Sequence, residues 1–171
     1  LPLVSRLIVT VDRSQSLDEA AENVDLAIAL KDDLVVGVDL GGNPTKNDFG
    51  DFEHVFLRAR MMGLKVTIHC AEIPCDDGVR YDEAVRVLNF SPDRIGHGVL
   101  LPTKLRHLLC DIPVETCPTS NVLTVNLHKD VVHGLLQHDN LQHWIETRHP
   151  LVVCTDDPGV FETNPTRELD L

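Results

Sequence analysis

The 171 residues are 43% apolar, which is enough to bury one sizeable core and reads as a single domain across 1–171. A net charge of −12 excludes a surface built to neutralise the phosphates of a nucleic-acid duplex, while one nucleotide in a pocket stays open. Five cysteines, odd in number and without a C-x-x-C, indicate neither a disulfide framework nor a zinc ribbon. They point to a reducing, cytoplasmic setting, and no apolar run approaches the roughly 20 residues of a membrane span.

The first β-rich run is Leu7–Val11, and a capping-box signal follows at Ser16–Glu19. The apolar stripe Leu17, Ala20, Ala21, Val24, Ala27 and Ile28 then predicts a helix. Val35–Leu40 is the second strand, followed by a helix that buries Phe49, Phe52, Phe56 and Ala59 and stops near Gly63. Val66–Cys70 is the third strand, with a stripe of Tyr81, Ala84, Val85 and Leu88 ended by Pro92. Arg94–Val99 is the fourth, with a short stripe at Leu105, Leu108 and Leu109, and Pro113–Cys117 is the fifth. The stretch from Thr119 to Asn140 reads as irregular, holding a broken helix or an active-site loop, and Leu151–Cys154 is the last strand.

Strands that are apolar on both faces and alternate with amphipathic helices require a parallel sheet covered by helices, because parallel strands cannot be joined by tight hairpins. Either a closed barrel or an open doubly wound sheet satisfies this, and the absence of G-x-G-x-x-G or a P-loop leaves the nucleotide-binding open sheet without support. In both architectures chemistry belongs at the carboxyl ends of strands. Polar residues fall there six times: Asp12, Asp39 with Gly41-Gly42, His69 and Glu72, His97, Thr119-Ser120-Asn121, and Asp156-Asp157.

Alternation along the third strand sends Thr67 and His69 to one face and Val66, Ile68 and Cys70 to the other. His69 is then a metal ligand or a buried hydrogen-bonded histidine, and Glu72 a general acid or a solvated loop residue. His97 lies between Gly96 and Gly98, where close approach of a ligand or backbone is expected, or else it is a core histidine. The remaining histidines, His54, His107, His128, His133, His138, His143 and His149, read as surface or second-layer residues. Adjacent Asp156 and Asp157 are costly unless a cation binds one of them, and a divalent metal answers that economically.

Val36–Gly42 (V-x-x-D-L-x-G), T-I-H-C-A-E at Thr67–Glu72, R-I-G-H-G at Arg94–Gly98, C-P-T-S-N at Cys117–Asn121 and C-T-D-D-P-G-V-F at Cys154–Phe161 resemble, in order, the motifs of adenosine deaminases. Glu72-Ile73-Pro74, the T-S-N and the D-D-x-G-V-F resemble the adenosine deaminase-like branch, whose members act on N6-methyl-AMP and related monophosphates. The resemblance implies a parallel (β/α)8 TIM-type barrel, of which this chain holds six βα units, strands three to eight. It implies one zinc ion with His69 and Asp156 as ligands, Glu72 as proton donor to purine N1, and His97 steering the attacking hydroxide onto C6. Asp157 would hold N7, the backbone of Gly42 would hold N3, and Asp12 would be a further substrate contact.

The implied activity is hydrolytic deamination of a small purine nucleotide by a monomeric enzyme, with no duplex or membrane partner. Free adenosine as substrate, a cyclic amide as substrate, and an inactive barrel fragment acting as a binding piece are the alternatives. The family's H-x-H strand has no counterpart here, Leu1 stands where an initiator Met would, and Ala71 replaces a common Gly. The chain therefore reads as a fragment.

Overall fold

Parallel strands need long crossovers, and every connection between neighbouring strands here contains one or more helices. The computed structural model describes residues 4–31 and 33–171. β1 (Leu7–Asp12) leads through α1 (Leu17–Ala29) to β2 (Val35–Gly41), and α2 (Phe49–Met61) leads to β3 (Lys65–Cys70). α3 (Gly78–Phe90) precedes β4 (Arg94–His97), and a 3-10 turn at Thr103–Leu105 running into α4 (Arg106–Leu109) precedes β5 (Val114–Thr116). Then come α5 (Pro118–Thr124), α6 (Val131–Leu135), α7 (Asp139–Thr147), β6 (Leu151–Val153), α8 (Pro158–Phe161) and α9 (Pro165–Leu169). The six strands form one sheet in the order β1-β2-β3-β4-β5-β6, all pairings parallel.

The register sorts the two faces. Val11, Leu40, Ile68, Ile95 and Val114 are successive lateral partners and all are buried, so one apolar row crosses five strands beneath the helices. Each such side chain contributes roughly 1.5–3 kcal/mol by leaving water. The opposite face is polar: Thr10, Asp39 and Thr67 lie in register, and one step further along so do His69, Gly96 and Glu115. Against the apolar row pack Ala20, Val24 and Ala27 of α1, Phe49, Phe52, Phe56 and Ala59 of α2, and Ala84, Val87 and Leu88 of α3.

Local signals fix the helix ends. Ser16 Oγ accepts from Glu19 N at 3.3 Å while Glu19 Oε2 accepts from Ser16 N at 2.8 Å, which completes the capping box. α3 stops one residue before Ser91, which takes a left-handed φ of 55° ahead of Pro92.

The segment from Thr119 to Asn140, read as irregular with a broken helix or an active-site loop, is a run of short helices. It contains most of α5, all of α6 and the start of α7. Helices this short show no full apolar stripe, so their turns read as loop. Among the described residues no helix is long and apolar enough to cross a membrane.

Candidate active site

His69 emerges from β3 on the polar face while Val66, Ile68 and Cys70 are buried against the helices. Its Nδ1 lies 2.9 Å from Oδ1 of Asp39 on the neighbouring strand, and the Thr10 hydroxyl donates to Asp39 Oδ2 at 3.3 Å. Burial opposes charge on this imidazole, but the hydrogen bond and charge of Asp39, with Glu72 and Glu115 further off, raise its pKa to about 9. With Nδ1 held by Asp39, Nε2 is the nitrogen left for another partner. The backbone beneath is fixed from the side: the buried Arg13 donates through Nη2 to the His69 carbonyl at 2.8 Å, and its Nη1 pairs with Glu83 at 2.5 Å.

After Cys70 the chain turns through Ala71, at φ 56°, and brings Glu72 beside β4. A glycine would relax this turn, whereas alanine holds it at a small conformational cost. Glu72 Oε2 lies 3.6 Å from His97 Nε2, and Glu72 Oε1 is buried with no hydrogen-bond partner. His97 itself has φ 61° and Gly98 φ 58°, so β4 ends in two successive left-handed residues that carry the imidazole over the strand ends. His97 Nε2 is 3.9 Å from Asp156 Oδ2, and its Nδ1 is 2.9 Å from Asn121 Oδ1.

Asp156, past the end of β6 at φ 56°, accepts the Ser120 hydroxyl at 2.6 Å. His97, Cys117 and Asp156 each present one metal-ligand atom, all within 4.8 Å of one another. His69 stands outside that trio, its ring centroid 5.0 Å from that of His97. His69, Gly96, His97, Glu115, Cys117, Cys154, Thr155 and Asp156 line one open cavity of about 250 Å³.

The structure thus gathers His69, Glu72, His97 and Asp156. Asp12 and Gly42 form a separate pair at the end of β1 and β2. Asp12 Oδ1 accepts from the Ser14 hydroxyl and from the Ser14 backbone N, which together hold its pKa below the ordinary value, and a Cβ on Gly42 would come within 2.8 Å of its carboxyl group. Asp157 is solvent-exposed at the start of α8 and makes no side-chain cap bond there.

Three residues at or beside this cavity were not singled out from sequence. Glu115 faces it from the middle of β5, ion-paired with Arg94 at 3.1 Å, and burial raises its pKa. The alternation of Val114 outward and Glu115 inward was available to find it. Cys117 is the second. The third is His138, read as surface or second-layer but buried here, where it caps α7 by accepting from Leu141 N at 3.1 Å.

Acidic and imidazole groups thus converge at the carboxyl ends of parallel strands, where α/β folds place their active sites. Residues 2–171 match the adenosine deaminase family, and the chain belongs to that family. It is 36% identical over 170 residues to the N6-mAMP deaminase of Arabidopsis thaliana, covering 97% of this chain and 44% of that protein. It is 39% identical to the adenosine deaminase-like protein of Drosophila melanogaster, covering 95% and 47%. The chain therefore spans about half the length of the curated relatives it matches. Among solved structures, the apo N6-methyl-AMP deaminase from Arabidopsis thaliana superposes with a TM-score of 0.84 at 34% identity, covering 96% of this chain and 46% of that one. The ADAL–IMP complex matches with the same score, identity and coverage. The six parallel βα units are those of the TIM-type barrel of these neighbours.

Proposed function

We propose that this chain carries catalytic residues of a zinc-dependent deaminase that hydrolyses the exocyclic C6–N bond of an adenine nucleotide, with N6-methyl-AMP or a related monophosphate as substrate. The observation that carries the reading is Glu72: one buried oxygen without a partner, the other beside His97, at the rim of a cavity that also holds Asp156. A buried acceptor left unpaired costs about 1–3 kcal/mol, and a purine N1 that shares a proton with it would remove that cost.

The donor set fits zinc in part. His69 offers Nε2, since Asp39 occupies Nδ1, and Asp156 offers a carboxylate oxygen. When bound, zinc lowers the pKa of water towards about 7 and so supplies hydroxide at neutral pH. Glu72 would give a proton to N1 as the C6–O bond forms; as the C6–N bond then breaks, the hydroxyl proton of the attacking oxygen passes to the amine, which departs as ammonia or methylamine. His97 orients the attacking oxygen, Asp157 holds N7, the Gly42 backbone holds N3, and Asp12 is a further substrate contact. The relatives' names support the nucleotide over the free nucleoside.

The test uses the complete gene product with N6-methyl-AMP, AMP and adenosine, following ultraviolet absorbance and the released amine. Glu72→Gln should lower turnover by about 10²–10⁴ with substrate binding retained, because an amide cannot cycle the proton. Equal rates for the variant and the wild type would remove Glu72 from the reaction. A wild-type rate for Asp157→Asn would remove the N7 contact.

A further inference from the structure

We infer that His138 is a positioning residue: through the Asn121 amide it sets His97 in the tautomer that carries its proton on Nε2, the nitrogen facing Glu72 and Asp156. One buried line of hydrogen bonds fixes where each proton sits. Leu141 N lies 3.1 Å from His138 Nδ1, and a backbone N–H can only donate, so that Nδ1 is bare. A neutral imidazole has one proton, which must then sit on Nε2. His138 is buried, and that burial pulls its pKa down to about 4, which keeps the ring neutral around pH 7.

His138 Nε2–H therefore needs an acceptor, and the atom it meets, at 3.4 Å, is the side-chain amide of Asn121. The amide nitrogen cannot accept, so the amide oxygen must face His138. Oxygen and nitrogen of an amide exchange places by a half-turn, and the bonding partners decide which orientation holds. The two partners of the Asn121 side chain are the two histidines, so nothing opposes that half-turn. Its NH2 group then donates to His97 Nδ1 across the 2.9 Å contact. With Nδ1 accepting, the proton of His97 is on Nε2, where the oxygens of Glu72 and Asp156 lie at 3.6 Å and 3.9 Å.

The consequence divides labour in the site. His97 donates a hydrogen bond through Nε2 and cannot take a second proton on Nδ1 without meeting the amide N–H. It holds an oxygen in place and is no base, which leaves the proton to Glu72. The catalytic meaning rests on the function proposed above, whereas the tautomer is a property of the fold and can be read without substrate.

The deciding measurement is long-range 1H–15N correlation on histidine-labelled complete gene product. His97 should show a protonated Nε2 and an unprotonated Nδ1, and the reverse pattern would overturn the inference. His138→Asn keeps a good helix-capping acceptor but is too short to reach Asn121. It removes a buried ring and should lower the thermal midpoint of a protein that still folds, mix the His97 tautomers and lower kcat about tenfold with KM unchanged. His138→Gln, long enough to present an N–H to Asn121, should recover most of both signals. A His97 pattern unaltered in His138→Asn would overturn the link, whatever happens to turnover.

Discussion

Gly96 and His69 face each other across β3 and β4, and the imidazole occupies the space a side chain at 96 would need: a Cβ there would come within 2.9 Å of His69 Nδ1 and 3.0 Å of Cγ. The glycine therefore sets the plane of the ring that Asp39 holds from the other side.

Gly96→Ala should push the imidazole off Asp39. Overpacking of this kind costs about 1–3 kcal/mol, and zinc affinity should fall by about 10- to 100-fold with the ligand displaced. Thermal melts and metal titration of the complete gene product check this, with Gly159→Ala as control because nothing lies within 4 Å of a Cβ there. Unchanged metal affinity in Gly96→Ala would mean that His69 is free to move or is no ligand.

The Asp39–His69 pair gives a pH dependence with a defined sign. In the metal-free protein the His69 pKa is raised from 6.5 to about 9, so its stabilising contribution is fully present below pH 6.5 and is lost as the pH rises through about 9. Asp39→Asn should flatten that slope in chemical denaturation measured from pH 6 to 9.5. Zinc must displace the same proton, so its apparent affinity should rise by roughly tenfold per pH unit below pH 9 in wild type, and less steeply in the variant. A wild-type slope in the variant would assign the dependence to another group.

Glu83 ties three elements together. It pairs with Arg13 and with Arg80 and accepts from Phe49 N at the start of α2, and Arg13 in turn holds the His69 carbonyl. Glu83→Ala strands the Arg13 guanidinium in the interior and should destabilise the protein by about 3–5 kcal/mol. The double variant Arg13→Met/Glu83→Leu should lose less than Glu83→Ala, because it removes both charges. Urea unfolding of the three proteins separates these outcomes.

Much of this molecule was legible before any coordinates. Periodicity gave six strands within a residue or two, the largest difference being at β4, which ends at His97 rather than Val99 because His97 and Gly98 turn left-handed there. Alternation placed His69 on the polar face, and the strand-end rule selected His69, Glu72, His97 and Asp156, which the fold brings together, along with Asp12, Gly42 and Asp157, which it leaves apart. Asp39 was visible as a strand-end acid, but its pairing with a histidine thirty residues on is a matter of register between strands, which no local pattern records.

The reading failed most where side chains serve the backbone. Asn140 looks like loop chemistry, yet from inside a helix its Nδ2 shares two N–H groups among the carbonyls of Gly98, Val99 and Leu101. His138 was read as surface or second-layer, and the choice between the two was closed to sequence because capping a helix end leaves no mark in hydrophobic period. Glu115 was open to its alternation with Val114, but a strand of three residues gives that pattern little weight.

The sheet order follows the chain order, each strand lying beside the one before it. Each strand therefore finds its partner in the segment made just before it, so loop closures stay short and the growing chain need not wait for distant sequence. As synthesis proceeds from the amino end, each βα unit can dock on its predecessor. Asp39 is then in place before His69 is made, Glu72 and His97 arrive next, and Asp156 last. The site is assembled in time as it is laid out in space, and its final acid is positioned by a wall that already stands.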